Sequence, residues 1–237
     1  MKLKKEKKII CKKKAIIILF IFISVVAVFC TADPYGASLD VGDSSRRTSP
    51  DSSNVTAGGG NVTPITADLS QITETWQGYY GTVQGGIYLG NAAGDTFYDW
   101  NVADAIGEIL ATRNSVSDWT IINCTNQTEI YDEEARLNIP EAASDGINDT
   151  YYTISPSFDI AGRTLNGCPA TLTNNETDSK LVFWNVLLNT NESNTVYTVI
   201  MENNKPGFNG SIVDFQIFVP VDRNTGLATY FIYVEQD

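Results

Sequence analysis

Residues 76–100, WQGYYGTVQGGIYLGNAAGDTFYDW, alternate aromatic runs with glycine-rich breaks. Trp76, Tyr79, Tyr80 and Val83 form a first β-prone run; Ile87, Tyr88 and Leu89 form a second; Phe97, Tyr98 and Trp100 form a third. Aromatic and β-branched side chains suit a pleated, half-buried surface. The breaks at 84–86 (QGG) and 90–95 (GNAAGD) carry residues that accept positive φ, as hairpin turns require. The stretch therefore reads as a three-stranded meander. Gly78 and Gly81, inside the first run, mark a bulge or a close approach by another segment.

Outward from this stretch, the chain offers strands to pair with it. Gly107–Thr112, 151–154, 181–188, 195–201, 215–219 and 229–235 are all rich in apolar or β-branched residues. The run 181–188 is nearly all apolar and reads as an interior strand. Phe215, Ile217 and Val219 alternate, as do Tyr230, Ile232 and Val234, and 221–226 (VDRNTG) reads as the hairpin loop joining these two runs. One helix stands out: Asn126 and Glu129 have capping-box spacing, and the acids Asp132, Glu133 and Glu134 suit the positive end of the helix dipole. Ile130 and Leu137 are placed to face a sheet, and Pro140 ends the element. Trp119 is expected to pack inward from a short turn. The pattern predicts a mostly β fold: an antiparallel β-sandwich, Ig-like or jelly-roll-like, with one short helix.

The N-terminus has a different composition. Eight of the 16 basic residues lie within residues 1–14, with only Glu6 opposing them. Setting that +7 aside from the total of −12 leaves −19 on the remainder. An apolar run, 15–29 (AIIILFIFISVVAVF), follows, and then Cys30-Thr31-Ala32. Charged, apolar and small-residue regions in that order are those of an export signal, with Ala32 as the cleavage point. An uncleaved hydrophobic anchor helix is the competing reading, and either puts the rest outside the cell. Phe29 before Cys30 is not the small residue expected before a lipid-modified cysteine. Lys14-Ala15 before the apolar run is similar to the processing site of archaeal pilins, although Asp33-Pro34 ends that run early. The reading gives residues 1–32 as signal or anchor, 33–57 as a flexible Ser-, Gly- and Asp-rich stalk, and 58–237 as an extracellular domain.

Eight N-x-[ST] sequons begin at Asn54, Asn61, Asn123, Asn126, Asn148, Asn175, Asn191 and Asn209. Behind an export signal they predict a glycoprotein. Pro64 weakens the sequon at Asn61, Asn123 and Asn126 crowd each other, and a glycan on Asn126 would compete with its role as helix cap. Cys124 and Cys168, the only cysteines past the leader, predict one disulfide in an oxidising compartment.

WQGYYG at 76–81 followed by FYDW at 97–100 resembles a set of uncharacterised secreted or surface proteins of archaeal genomes. The likeness extends over most of the chain after the stalk, including Asn123 beside Cys124 and the closing run 231–235. It implies export and surface exposure and brings no catalytic residue with it.

Composition narrows the function classes. A net −19 domain repels nucleic acid. The chain contains no histidine, which removes Ser-His-Asp and Cys-His catalysis and the commonest zinc and copper ligand. The leading expectation is a non-enzymatic cell-surface or secreted glycoprotein without a cofactor, in surface structure or adhesion. Its partners would be cell-surface components or glycans, with the membrane added if the anchor is retained. The alternative is a carbohydrate- or ligand-binding module using Trp76, Tyr79, Tyr80 and Trp100. A pilin-like filament subunit and a carboxylate hydrolase built on Asp95, Asp99 and Glu108 stand behind these; the latter needs two acids about 5–9 Å apart across a cleft. The oxygen-rich stretches 145–149 and 222–224 are calcium candidates, though neither matches a full calcium loop, and a metal-free domain is expected.

Overall fold

The computed structural model describes residues 33–48, 51–67, 70–101, 106–174, 181–190 and 194–236. The segment 1–32 expected to be a signal or anchor, Asn175 and Asn191 lie outside the described residues. The described chain is mostly β, with antiparallel pairing throughout and two short helices.

The main sheet has eight strands. Seven run in the order β1 (Tyr35–Gly36), β16 (Phe231–Gln236), β5 (Gly107–Thr112), β12 (Thr195–Ile200), β11 (Leu181–Asn189), β10 (Pro169–Asn174) and β7 (Thr153–Ile154). β6 (Asn123–Cys124) pairs with the far end of β11, through Leu188↔Cys124 and Asn189↔Asn123. The apolar run at 181–188 is thus an interior strand, as its composition predicts. Strand alternation sends Ile109, Ala111, Phe183, Leu187, Tyr197 and Val199 to one face, and Leu110, Val186, Leu188 and Val196 to the other. Both faces are covered, which explains why every residue of β5 is buried.

Over the first face lies a pair formed by β2 (Trp76–Gly81) and β15 (Phe215–Pro220), together with helix α1 (Gln127–Arg136) and the four-residue helix α2 (Ile147–Thr150). Ile217, Val219, Ile130, Leu137 and Ile147 enter the core here. Over the second face lie Trp119, Ile122 and the hairpin of β8 (Phe158–Ile160) with β9 (Arg163–Leu165). Trp119 packs inward, edge-on to Tyr233 at 5.0 Å.

Three expectations are corrected. The aromatic stretch is not a meander: β2 pairs with β15, while β3 (Gly86–Gly90) pairs with β4 (Thr96–Asn101) as a separate hairpin. Tertiary packing of Ile217 and Val219 on the main sheet selects β15 as the partner of β2, a long-range choice that local pattern does not encode. The loop 221–226 does turn, with Gly226 at φ +69° and an Asp222↔Leu227 bridge, but the strands it joins go to different sheets. There are two helices among the described residues, not one; α2 follows Gly146 and is too short to leave a periodic signature. Two residues of the segment read as stalk, Tyr35 and Gly36, pair with β16 through Val234 and Tyr233.

α1 begins as expected. Asn126 Oδ1 accepts from the Glu129 N–H at 3.1 Å, and the Glu129 carboxylate accepts from the Asn126 N–H at 2.7 Å. The helix is fixed to the sheet by a buried carboxylate. Glu133, only 1% exposed, accepts from Arg113 Nε and Nη2 at 3.0 and 2.7 Å, from Arg136 Nε at 3.1 Å, and from the Tyr197 hydroxyl at 3.3 Å. Burial alone would lower the Arg113 pKa, but the Glu133 bond and charge raise it above its ordinary value. Burial, reinforced by the Glu133 charge, pushes the Tyr197 hydroxyl well above its usual range, so it remains a donor.

The Cys124–Cys168 disulfide is formed. β6 and β10 lie along the same side of β11, and the bridge joins the end of one to the residue preceding the other.

Two outcomes follow from these contacts. Replacing Cys168 with Ser is expected to cost about 3–4 kcal/mol, the chain-entropy value for a loop of this size, measured by urea unfolding against the oxidised wild type. Arg113→Ala leaves Glu133 buried with a weaker shell and is expected to cost about 3 kcal/mol; an unchanged unfolding midpoint would show that Arg136 and Tyr197 hold the charge alone.

Candidate functional site: an exposed aromatic surface

The four rings expected to form a platform separate into different environments. Trp76 turns inward. Its Nε1–H donates to the Asp145 carbonyl at 2.7 Å, and its ring meets Phe218 edge-on at 4.7 Å and Tyr197 at 6.4 Å. Tyr79 and Tyr80, also on β2, are exposed. Tyr80 meets Phe208 edge-on at 4.9 Å. Trp100, on β4, pairs with Tyr98 at 4.7 Å. Phe208 had no local signal in the sequence, because its ring is recruited by a strand 128 positions away.

The β3–β4 hairpin carries a run of exposed apolar side chains. Its register sets Ile87 opposite Trp100 and Leu89 opposite Tyr98, so these four side chains share one face. Tyr88 and Asp99 are opposite each other on the reverse face. All six are exposed, as is Phe97 at 84%. The turn that closes the hairpin is stiff. Asn91 Oδ1 accepts from the N–H groups of Ala93 and Asp95, both at 3.0 Å, and Asn91 Nδ2 donates to the Asp95 carboxylate at 2.8 Å. A Cβ at Gly90 would sit 2.7 Å from the Asp95 carbonyl oxygen, so glycine is required there. Shallow open depressions of about 390 and 460 Å³ flank this turn, one lined by Tyr88 and Asp95, the other by Leu89 and Phe97. Paired rings on a rigid, open hairpin can stack against the C–H faces of a sugar or against another apolar surface.

The three acids proposed for hydrolysis are in different settings. Asp95 closes the turn, Asp99 lies on β4, and Glu108 is buried on β5 directly opposite Glu235 of β16. Glu235 in turn accepts the Ala161 N–H with both oxygens, at 2.8 and 2.9 Å. The Glu108–Glu235 juxtaposition was invisible in the sequence because strand order alone creates it.

The two calcium candidates meet each other through an arginine. Arg223 donates to Asp145 at 3.2 Å, to Glu74 at 2.9 Å and to the Thr75 hydroxyl at 3.3 Å. Thr73 donates to the same Asp145 carboxylate at 2.7 Å. Asp222 accepts from the N–H groups of Asn224 and Thr225. Among the described residues no group of three or more acidic or thiol side chains is arranged to hold a metal ion.

The described sequons also differ. Asn54 and Asn61 are exposed in strand-free segments. Asn123 is exposed, but its Thr125 is buried. Asn126 caps α1 through Oδ1; since a glycan attaches at Nδ2, the expected competition between cap and glycan falls on different atoms. Asn148 lies in α2, where its Oδ1 accepts from Gln127 and Thr150 is bonded to the Gly146 carbonyl. Asn209 sits at the tip of a hairpin next to Phe208. Family models, curated proteins and solved structures gave no match to this chain.

The Asp145 contacts generate a pH dependence. Burial alone would raise its pKa, but the Thr73 and Thr75 hydroxyls and the Arg223 charge outweigh burial and hold it below the ordinary 3.8. Such a group contributes stability that is full above the unfolded-state pKa and is lost as pH falls through the folded value. Glu134 acts with the opposite sign: burial raises its pKa despite N–H bonds from Asn148 and Ile147, so protonating it on acidification adds stability. Asp145→Asn is therefore expected to lower Tm near pH 6, with the gap to wild type closing below about pH 4. Melting curves across that range check it, and a gap independent of pH would rule the linkage out.

Proposed function

We propose that this protein is a non-enzymatic secreted or cell-surface glycoprotein whose acidic antiparallel β domain, of sandwich type, binds carbohydrate through the aromatic face of the β3–β4 hairpin. The observation that carries the binding role is the open face formed by Ile87, Leu89, Tyr98 and Trp100 on a stiff turn. Rings that served only as core would have been covered. Trp76 is half-buried against the core; Tyr98 and Trp100 are exposed.

Export by the 1–32 leader supports the surface location, and the sequons and the disulfide fit an oxidising exterior. The charge of −19 beyond residue 14 favours neutral or basic partners and disfavours nucleic acid. Among the described residues no helix is long and apolar enough to cross a membrane.

Trp100→Ala and Tyr98→Ala are each expected to weaken binding to surface polysaccharide by about tenfold, the value of one aromatic contact near 1.4 kcal/mol. Titration of intrinsic tryptophan fluorescence with polysaccharide fractions from the source cells measures it. Equal affinity in wild type and both variants would remove the hairpin from the function. Intact mass of the native protein tests the rest: a start at Asp33, hexose-sized increments and a gain of two hydrogens on reduction are expected. An unmodified mass with free thiols would overturn the glycoprotein reading.

A further inference from the structure

We infer that Asn209 carries a glycan whose first sugar stacks on the Tyr80–Phe208 ring pair, making this one modification a structural part of the domain. The inference rests on the glycoprotein reading above and narrows it to one site with a stated physical role.

Asn209 lies in the loop between β13 (Lys205–Pro206) and β14 (Ile212–Val213). The loop is rigid. The Gly207 N–H donates to the Ser211 carbonyl at 2.7 Å, and the Gly210 N–H donates to the Gly207 carbonyl at 3.1 Å. Gly210 takes φ +80°, which glycine adopts without strain. Asn209 Oδ1 accepts the Ser211 N–H at 3.1 Å, an Asx turn that fixes the Asn209 amide. Phe208 is held from behind: its N–H donates at 2.7 Å to the Oε1 of Gln216, which is itself buried and bonded through Nε2 to Thr173 and Asn174 of β10.

At this position the nitrogen that would take the sugar meets the Tyr80 hydroxyl. Asn209 Nδ2 lies 3.5 Å from the Tyr80 hydroxyl, and the Phe208 and Tyr80 rings, 55% and 48% exposed, meet edge-on at 4.9 Å. A Cβ built at Gly78, on the same side of β2 as Tyr80, meets nothing within 4 Å, so that flank is open. Asn209, Gly210 and Ser211 are all exposed. A sugar leaving Nδ2 therefore starts at the rim of an aromatic shelf with room along it. The C–H face of a pyranose over such rings gains an interaction of the kind aromatic pairs provide. The side-chain oxygens of Asn123, Asn126 and Asn148 are instead bonded to the Cys124 and Glu129 N–H groups and to the Gln127 amide.

Attachment uses an activated sugar phosphate donor. Asn209 Nδ2 attacks the anomeric carbon, the bond from that carbon to the phosphate oxygen breaks, the phosphate leaves with the bonding pair, and Nδ2 gives up one proton. Oδ1 is untouched, so the Asx turn with Ser211 survives the modification.

The test is glycopeptide mapping of protein from its source cells, followed by melting of wild type, Ser211→Ala, Phe208→Ala and the double variant from the same cells. Ser211→Ala removes the sequon and keeps Asn209 and its turn. Asn209 is expected to be occupied. Ser211→Ala is expected to lower Tm by about 2–4 °C in the wild-type background and to have no further effect once Phe208 is Ala. Tyr80→Ala repeats the cycle from the second ring. The same Ser211→Ala change in protein made in a host without N-glycosylation is expected to leave Tm unchanged. Sugar at other sequons with Asn209 bare overturns this inference and leaves the glycoprotein reading standing. Sugar at none overturns both. An occupied Asn209 whose loss costs the same with and without Phe208 overturns the stacking.

Discussion

The buried Glu133 carboxylate ties helix α1 to the sheet. A charge 1% exposed is tolerable only when its neighbours replace water, and here they come from three elements: Arg113 beyond β5, Arg136 of α1 itself, and Tyr197 of β12. Two strands and the helix are thereby held in one register. With α1 so placed, Ile130 and Leu137 drop into the core beside Tyr197 and Leu187. The adjacent residue, Glu134, faces the other way and accepts the Asn148 N–H at 2.8 Å, fixing the start of α2. Two consecutive acids in one helix thus set the positions of three further elements.

Polar anchors of this kind recur wherever a covering layer meets the main sheet. Glu235 holds the Ala161 N–H and with it the turn between β8 and β9, where Ala161 is kept at φ +47°. Gln216 joins β15 to β10 and to Phe208. Asp214 accepts from the N–H groups of Val83 and Asn204, fastening the segment after β2. Asn185, fully buried, donates to the Gln216 carbonyl. Apolar burial on both faces supplies most of the driving force, and these bonds choose which packing is adopted. The β3–β4 hairpin differs: its strands pair with each other, while its side chains are exposed. That contrast between a fastened body and an open aromatic hairpin is the physical basis of the binding role proposed for the latter.

Much of the site was legible as residue type and little of it as arrangement. The aromatic stretch was correctly read as strands, since ring-rich runs between glycine turns have few other solutions. Its division was not readable. Trp76 and Tyr80 belong to one run, yet Trp76 is drawn inward by Asp145 and Phe218 while Tyr80 remains exposed beside Phe208. The sequons were countable, but which of them stands on an exposed rigid tip, and which has its threonine buried, depends on neighbours far away in the chain. That the oxygen-rich stretches 145–149 and 222–224 meet through an Arg223–Asp145 ion pair was not readable either, because it joins positions 78 apart.

Short-range physics is what the sequence by itself determined. The capping box at Asn126–Glu129, the strand character of the apolar and aromatic runs, the pairing of the only two cysteines past residue 32, and the acidity of the domain all depend on neighbours within a few positions or on composition. Strand order was decided by tertiary structure alone. Whether β2 pairs with β3 or with β15, and whether β15 and β16 form a hairpin, turns on which arrangement buries Ile217 and Val219 against the main sheet. Period-two alternation is the same in either arrangement, so only the packed core distinguishes them.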